Sequence, residues 1–461
     1  MTALSWRLIE DAVWEDAAQG QPVLRRSAQP PVRLPEGADV RGLVAELAAR
    51  WLDQQDLDSL ADAAAEPALV YYALERLRSR GWLQVRGCLG GQELFLLEPA
   101  PPSAAFSRPL PAGPYRLSPR ALVRREGAGF LLETPFSPCR CLIRERPCWE
   151  WLYELARQDQ AAPPENSPQA SLLRVLVLLG AVVAGETSQD LNAPEDAWEL
   201  HDLWFYHRSS SGTHPYPVGA TWRLKGRCPP APVCKPGQGD YVPLPEPPEA
   251  LQRRLRTPLC DVLAARRSGR EAAERRITVA ELGTLLHAAA RIQRMLDDPA
   301  HPVPASLRPS PSGGALHSLE IYPLVRACDG LDSGAYRYEP RSHRLERVAG
   351  DDALVHSYLA ENPFAMQPGT GLPQIKLAVT SRFLRDCWKY ESLALRLVLQ
   401  DLGCLYQTLS LTATALGLAS CVLGAVPAPD LARALGVELF AEPPLGVLTL
   451  SAANREGAPD V

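Results

Sequence analysis

The chain has 461 residues, 46% hydrophobic and 22% charged, the balance of a folded protein too long for one ordinary core. Its formal net charge of −5 argues against a nucleic-acid binder, which shows a basic excess. The most apolar run, residues 175–184, is half of the ~20 residues a bilayer span needs, and "MTALSWRLIEDAVWED" lacks the basic start and apolar core of a secretory signal. Neither a membrane nor a secreted setting is expected. The eleven cysteines, odd in number and irregularly spaced, read as free thiols of a cytoplasmic protein.

Residues 4–35 hold three strand-like pieces, around "SWRLIEDAVW", "PVLRR" and "PVRLP". Three helical patterns follow: "GLVAELAARWL", "DLDSLADAAA" and "EPALVYYALERLRSRG", the last opened by Pro67 and closed by Gly81. "WLQVRG" and "ELFLLE", joined at Gly90-Gly91, read as a hairpin. Residues 1–100 are thus expected to form a small winged-helix-like module. Residues 113–190 repeat the plan loosely. A hairpin turns at residues 127–129, and "CWEWLYELARQ" and "SLLRVLVLLGAVVAG" read as helices. Residues 191–258 carry "EDAWELHDLWFYHRSSSG" from 195 and dissolve into a Pro-rich connector wrapped over its neighbours.

The largest unit is residues 259–461. Thr278 and Glu281 have capping-box spacing before "ELGTLLHAAARI". The strand-like segments "SLEIYPLV", "AYRYEP", "HRLERVA" and "IKLAVTS" come next, then a helix over residues 391–416 that ends at Gly417. That helix is apolar on nearly every side, so it is expected to be buried all round and to support a homodimer. "SCVLGAV" and "LGVLTLS" close the unit as strands, and the class is α+β.

Four motifs bear on chemistry. "RRSGR" sets Arg266, Ser268 and Arg270 around a glycine, which suits a phosphate or a solvated turn alike. "RPSPSGG" fixes the backbone at Pro309 and Pro311 and removes Cβ atoms at Gly313 and Gly314, as a tight turn or a cradle for a flat or anionic ligand. "CWKYE" holds Lys389, one of only four lysines in an Arg-preferring chain, beside Tyr390; a buried Lys can lose its proton and an Arg cannot. "GCLGGQ" at 87–92 precedes a strand, which is the wrong context for a dinucleotide loop. Cys139, Cys141 and Cys148 fit zinc spacing poorly, and His201, His207 and His214 fall at irregular intervals, so no metal is expected.

Taken in order, "RRSGR", "RPSPSGGALHSLEIY", "WKYESLALRLVLQDLGCLYQTLSLTATALGL" and "CVLGAVP" resemble the FMN-dependent nitroreductase fold. They are most similar to its SagB-type, McbC-like azoline dehydrogenases of thiazole/oxazole-modified peptide pathways. The connector segment "WELHDLWFYHRSSSG" resembles the connector of the same group, and the two front modules resemble the leader-recognition-like modules of the cyanobactin oxidases. The resemblance implies that FMN is held by Arg266, Ser268, Arg270, Arg308, Pro311, Ser312, Gly313, Gly314, Gly424 and Arg455, with Lys389 and Tyr390 as the catalytic pair. Tyr390 is the expected base and Lys389 its tuner, with the roles exchangeable. It also implies an intertwined homodimer, an azoline-containing peptide with a leader, and a cyclodehydratase partner. Two departures stand out: His317-Ser318 replace the family's Tyr-Pro, and "LTLSAANREG" fits the closing strand around Arg455 poorly. An NAD(P)H-driven nitro- or quinone reductase and a non-catalytic flavoprotein scaffold remain as alternatives.

Overall fold

The computed structural model describes residues 3–10, 12–15, 22–25, 31–101, 106, 108–185, 194–237, 239–270, 274–296, 303–367 and 370–453. The chain divides into two units, Met1–Thr221 and Trp222–Val461. The boundary falls inside the Pro-rich stretch, which is shared between them.

In the first unit the expected helices form at Ala38–Ala49, Gln54–Asp62 and Pro67–Ser79. Asp53 and Asp56 close a reciprocal capping box on the second, and Pro67 opens the third. The hairpin is Leu83–Leu89 with Gln92–Glu98. "SWRLIEDAVW" is not one strand: Ala3–Leu8 joins the main sheet, and Val13–Glu15 joins a separate three-stranded sheet with Val23–Arg25 and Val32–Arg33. The apolar run 171–185 is likewise split. A helix, Pro168–Leu178, ends where Gly180 takes a positive φ of 67°, and Val182–Ala184 then pairs with Tyr115–Leu117.

The two front modules are fused rather than strung. Gln92–Glu98 pairs antiparallel with Arg140–Ile143, making one seven-stranded sheet that runs from Leu52–Asp53 to Leu122–Glu126. One apolar core, from Trp6 and Leu43 to Leu152 and Leu176, serves both.

The second unit is built on an antiparallel sheet in the order Tyr241–Pro243, Arg344–Arg347, Gly334–Glu339, Leu319–Val325, Ile375–Ser381, Pro444–Ala452, Leu418–Leu423. Leu319–Val325 and Ile375–Ser381 are buried at every position, as strands covered on both faces must be. Ile321, Leu377 and Leu448 face the helices Val279–Ala290 and Ala394–Ala415. Tyr322, Ala378 and Val447 face the helices Asp352–Ala360 and Ala428–Ala434. The α+β class is thus observed in both units.

The long helix corrects an expectation. Val398, Leu402, Leu405 and Leu409 are buried, but Leu395 and Leu399 remain 39% and 42% exposed, with Gln400, Cys404 and Gln407 beside them. Only one face meets the sheet, so the helix is not buried all round within one chain.

The part of the Pro-rich stretch in this unit is tied down by its carbonyls, since proline offers no N–H. Arg382 donates to Pro232 O at 2.7 Å, Arg385 to Ala231 O at 2.6 Å, and Trp388 Nε1 to Cys228 O at 2.8 Å. Lys235 Nζ meets Glu442 at 2.6 Å and the Tyr322 hydroxyl at 2.8 Å. Among the described residues no helix is long and apolar enough to cross a membrane, and no cluster of three or more His, Cys, Asp or Glu side chains is arranged to hold a metal. All eleven cysteines carry free thiols.

Candidate active site

The "PSPSGG" loop turns back on itself immediately before the buried strand Leu319–Val325. Gly313–Ala315 makes a single tight turn, in which Gly314 has a φ of 64°. Ala315 and His317 also take positive φ, at 56° and 47°. Left-handed backbone costs a non-glycine residue about 1–2 kcal/mol, so the surroundings hold this turn in place. The two glycines answer different needs. A Cβ on Gly313 would lie 3.2 Å from Leu397 Cδ1 of the long helix. A Cβ on Gly314 would lie 2.6 Å from Tyr390 Oη and 2.7 Å from Lys389 Nζ.

Lys389 and Tyr390 therefore converge on the backbone of Gly314. They do not start the long helix, as expected, but follow a short one, Leu384–Cys387, and Tyr390–Glu391 is extended. Ser392, with φ 62°, then turns the chain into Ala394–Ala415. The Lys389 N–H donates to Asp386 O at 3.1 Å, and Trp222 N donates to Lys389 O at 3.1 Å. Lys389 Nζ lies 5.2 Å from the Trp222 ring centre and 5.0 Å from that of Tyr390, within cation–π reach.

The electrostatics move the two groups in opposite directions. Lys389 is 8% exposed, and burial pushes its ammonium pKa down. The Tyr390 phenol is pushed up by burial and then by the charges of Asp386 and Asp401. A cation that acidifies Tyr390 is not what surrounds it. Burial thus disfavours the charged form of each side chain relative to an exposed one.

Asp386, Asp401, Trp222 and His317 carry parts of this site that sequence reasoning missed or noted only in passing. Asp386 is fully buried, and neither carboxyl oxygen makes a hydrogen bond of good geometry. Burial pushes it up to about 7, against the opposing pull of the nearby Ser318 hydroxyl and Arg385. His317 is driven down to about 3 by burial and by Arg308 and Arg385, so its ring is neutral. No motif marks an aspartate as a carboxylate pointing into the interior, and neither aspartate stands out in the sequence.

The remaining expected residues fall into two groups. Arg308, Pro311 and Ser312 line a small cavity of about 20 Å³, joined there by His317 and Asp401, which are not among the expected cofactor residues. Arg308 Nε and Nη2 have no partner there. Arg266, Ser268 and Arg270 sit elsewhere, against the sheet-edge strand Leu418–Leu423. Ser268 bridges Ser420, and Gly269 N donates to Ser420 O at 2.9 Å. A Cβ on Gly269 would lie 2.7 Å from Ala419 Cβ, so glycine permits that docking. Gly424 follows the same strand, exposed and open. Arg455 lies outside the described residues. Among the described residues no hydrogen bond or ion pair links the two groups.

The first test of an FMN site is met in part. The Arg266 and Arg270 guanidinium groups make no ion pair among the described residues, and Arg270 Nε is buried without a hydrogen-bond partner. Cations held without carboxylates suit a phosphate.

Comparison with known proteins bears on the family of the chain. The nitroreductase family matches residues 263–450, and the family described as cyanobactin oxidase ThcOx matches residues 115–215. A protein of Methanocaldococcus jannaschii named as a nitroreductase is 31% identical over 168 residues, covering 36% of this chain and 77% of its own. The microcin B17-processing protein McbC of Escherichia coli is 31% identical over 125 residues, 25% of this chain and 44% of its own, so this chain spans less than half of McbC. A solved Anabaena variabilis structure, also named as a nitroreductase, is 14% identical, covers 98% of this chain and 80% of its own, and has a TM-score of 0.39. With the M. jannaschii relative 31% identical and covered over 77% of its length, the chain belongs to the nitroreductase family.

Proposed function

We propose that the protein is an FMN-dependent dehydrogenase that oxidises thiazoline or oxazoline rings of a ribosomally made peptide to thiazole or oxazole. The observation that carries this is the convergence of Lys389 Nζ and Tyr390 Oη on Gly314, with their protonation pushed in opposite directions. The similarity to McbC supports the substrate class.

Aromatising an azoline removes two hydrogens from adjacent ring carbons. Bound FMN would accept one of them with its electron pair. The chain's own task is to take the other as a proton. Lys389 is the better base of the two, because burial disfavours its ammonium. Neutral Tyr390 holds a hydrogen to donate to the ring heteroatom, orienting the substrate. Trp222, beside Lys389, shields the pair from water. Arg266, Ser268 and Arg270 would hold the FMN phosphate, with Gly424 just after the strand Leu418–Leu423; the resemblance adds Arg455, which lies outside the described residues. Arg308 and residues 311–314 would face the ring.

Because no hydrogen bond or ion pair among the described residues links the two groups of cofactor residues, the reading includes a homodimer in which each FMN takes one group from each protomer. The exposed Leu395 and Leu399 of the long helix suit such an interface. A leader-bearing peptide and a cyclodehydratase that forms the azoline complete the expected partners, in the cytoplasm.

The test is mass spectrometry of a cyclodehydrated peptide incubated with the flavin-loaded protein and no NAD(P)H. Loss of the mass of two hydrogens per ring supports the reading. The alternative, an NAD(P)H-driven nitro- or quinone reductase, is favoured by the name of the M. jannaschii relative, and it requires NAD(P)H consumption with the peptide unchanged.

A further inference from the structure

Asp401 lies two turns into the long helix, 7% exposed, and makes no ion pair among the described residues. Its carboxylate is spent on the glycine turn. Ser312 Oγ donates to Oδ2 at 2.6 Å, and Gly313 N–H is shared between Oδ1 at 3.1 Å and Oδ2 at 3.2 Å. Ser312 Oγ in turn accepts from His317 N–H at 2.9 Å. One buried carboxylate thus organises residues 312–317, the stretch that contains three positive-φ residues. Hydrogen bonds to a charged acceptor are roughly twice as strong as neutral ones, enough to hold a strained turn.

We propose that Asp401 is a positioning residue for the Lys389–Tyr390 pair, holding the Ser312–Gly314 turn against the two side-chain ends so that they meet the reacting atoms in register. This rests on the reading of Lys389 and Tyr390 as the reacting pair. The geometry is a chain of contacts: Asp401 fixes Gly313, Gly313 fixes Gly314, and Gly314 abuts Lys389 Nζ and Tyr390 Oη. Asp401 has a second, electrostatic effect. The groups facing Tyr390 are Lys389 beside it, Asp386 from the preceding short helix and Asp401 from the long helix. The two carboxylates oppose formation of a phenolate.

Asp401→Asn retains an acceptor oxygen and removes the charge, whereas Asp401→Ala removes both. The holo-protein, labelled with ¹³C at tyrosine Cζ, is titrated by NMR, with the Tyr390 signal identified from Tyr390→Phe. Tyr390 is expected to begin ionising at lower pH in Asp401→Asn than in the parent. Amide exchange at Gly313 is expected to accelerate in Asp401→Ala and, more mildly, in Ser312→Ala. Turnover of Asp401→Ala should fall about 10²-fold, the cost of misplacing a catalytic group by about 1 Å. A merely structural aspartate would leave the tyrosine titration unmoved. Unchanged Tyr390 ionisation, or unchanged Gly313 exchange, overturns the proposal. Both NMR readings need no azoline substrate, so they stand or fall separately from the assigned reaction.

Discussion

Asp386 and Lys389 lie one helical turn apart, joined by a 3.1 Å backbone hydrogen bond, and burial moves their protonation in opposite directions. The carboxyl rises to about 7 and the ammonium falls, so both lean towards neutral forms beside Tyr390. Two groups whose surroundings push them apart from their ordinary charges are the usual basis for acid and base roles at one pH.

For the pair itself, Lys389→Ala and Tyr390→Phe are expected to keep fold and flavin and to lose azole formation by about 10²–10⁴-fold. Lys389→Arg separates the roles. Arginine keeps the charge and cannot deprotonate, so it should be nearly as damaging as alanine if Lys389 is the base. Rate against pH should rise through the lowered Lys389 pKa and fall only above the raised Tyr390 pKa. Steady-state kinetics of the three variants across pH checks this, and parent-like rates in all three would remove the pair from the chemistry.

Gly314→Ala adds one methyl group between Tyr390 Oη and Lys389 Nζ at a positive φ. The two side-chain ends can move aside, so the fold should survive at a cost of about 1–2 kcal/mol. Turnover should not survive. Thermal unfolding and activity measured on the same sample separate the two effects, and an active Gly314→Ala protein would mean that the convergence is incidental.

Asp386 makes a stability prediction with a definite sign. Its folded pKa of about 7 exceeds the unfolded carboxylate value near ~3.9, so the folded state binds the proton more tightly. Its contribution is present at acidic pH and is lost as pH rises towards 7. Between pH 5 and 8 the parent should therefore lose stability relative to Asp386→Asn, by on the order of 1 kcal/mol for each pH unit crossed below the folded pKa. Denaturant midpoints at several pH values test it, and parallel curves would show that Asp386 is ionised in the folded protein.

Replacing Arg266 and Arg270 together with Ala should strip most of the FMN, since each charged hydrogen bond contributes about 1.5–3 kcal/mol. Mixing that double variant with Lys389→Ala tests the shared site. If each FMN draws on both protomers, heterodimers regain one complete site and measurable activity. Heterodimers verified by native mass spectrometry yet inactive would place both groups of residues on the same chain's flavin.

Much of this was legible in the sequence. Thr278 and Glu281 do form the capping box, Gly417 does end the long helix with φ 68°, and the glycine loop does lead into a strand. Such signals are local, and local backbone chemistry decides them. What escaped depends on which surfaces meet. The apolar pattern of 394–415 reads the same whether its outer leucines face a neighbour or solvent. The pairing of Gln92–Glu98 with Arg140–Ile143, which fuses the front modules, joins strands 42 residues or more apart and leaves no mark in either. Asp386 and Asp401 look like ordinary helix aspartates, and only burial without an arginine partner sets them apart. The surroundings of Tyr390 were hidden for the same reason, because the adjacent lysine is visible in sequence and the two facing carboxylates are not.

The most direct test of the central claim is an anaerobic single turnover: flavin-loaded protein mixed with an azoline peptide in the absence of NAD(P)H, following flavin absorbance and peptide mass together. The account predicts that the oxidised-flavin absorbance bleaches as the peptide loses two hydrogens per ring, one flavin reduced per azole formed. Flavin that bleaches only on addition of NAD(P)H, with the azoline peptide unchanged, would contradict it.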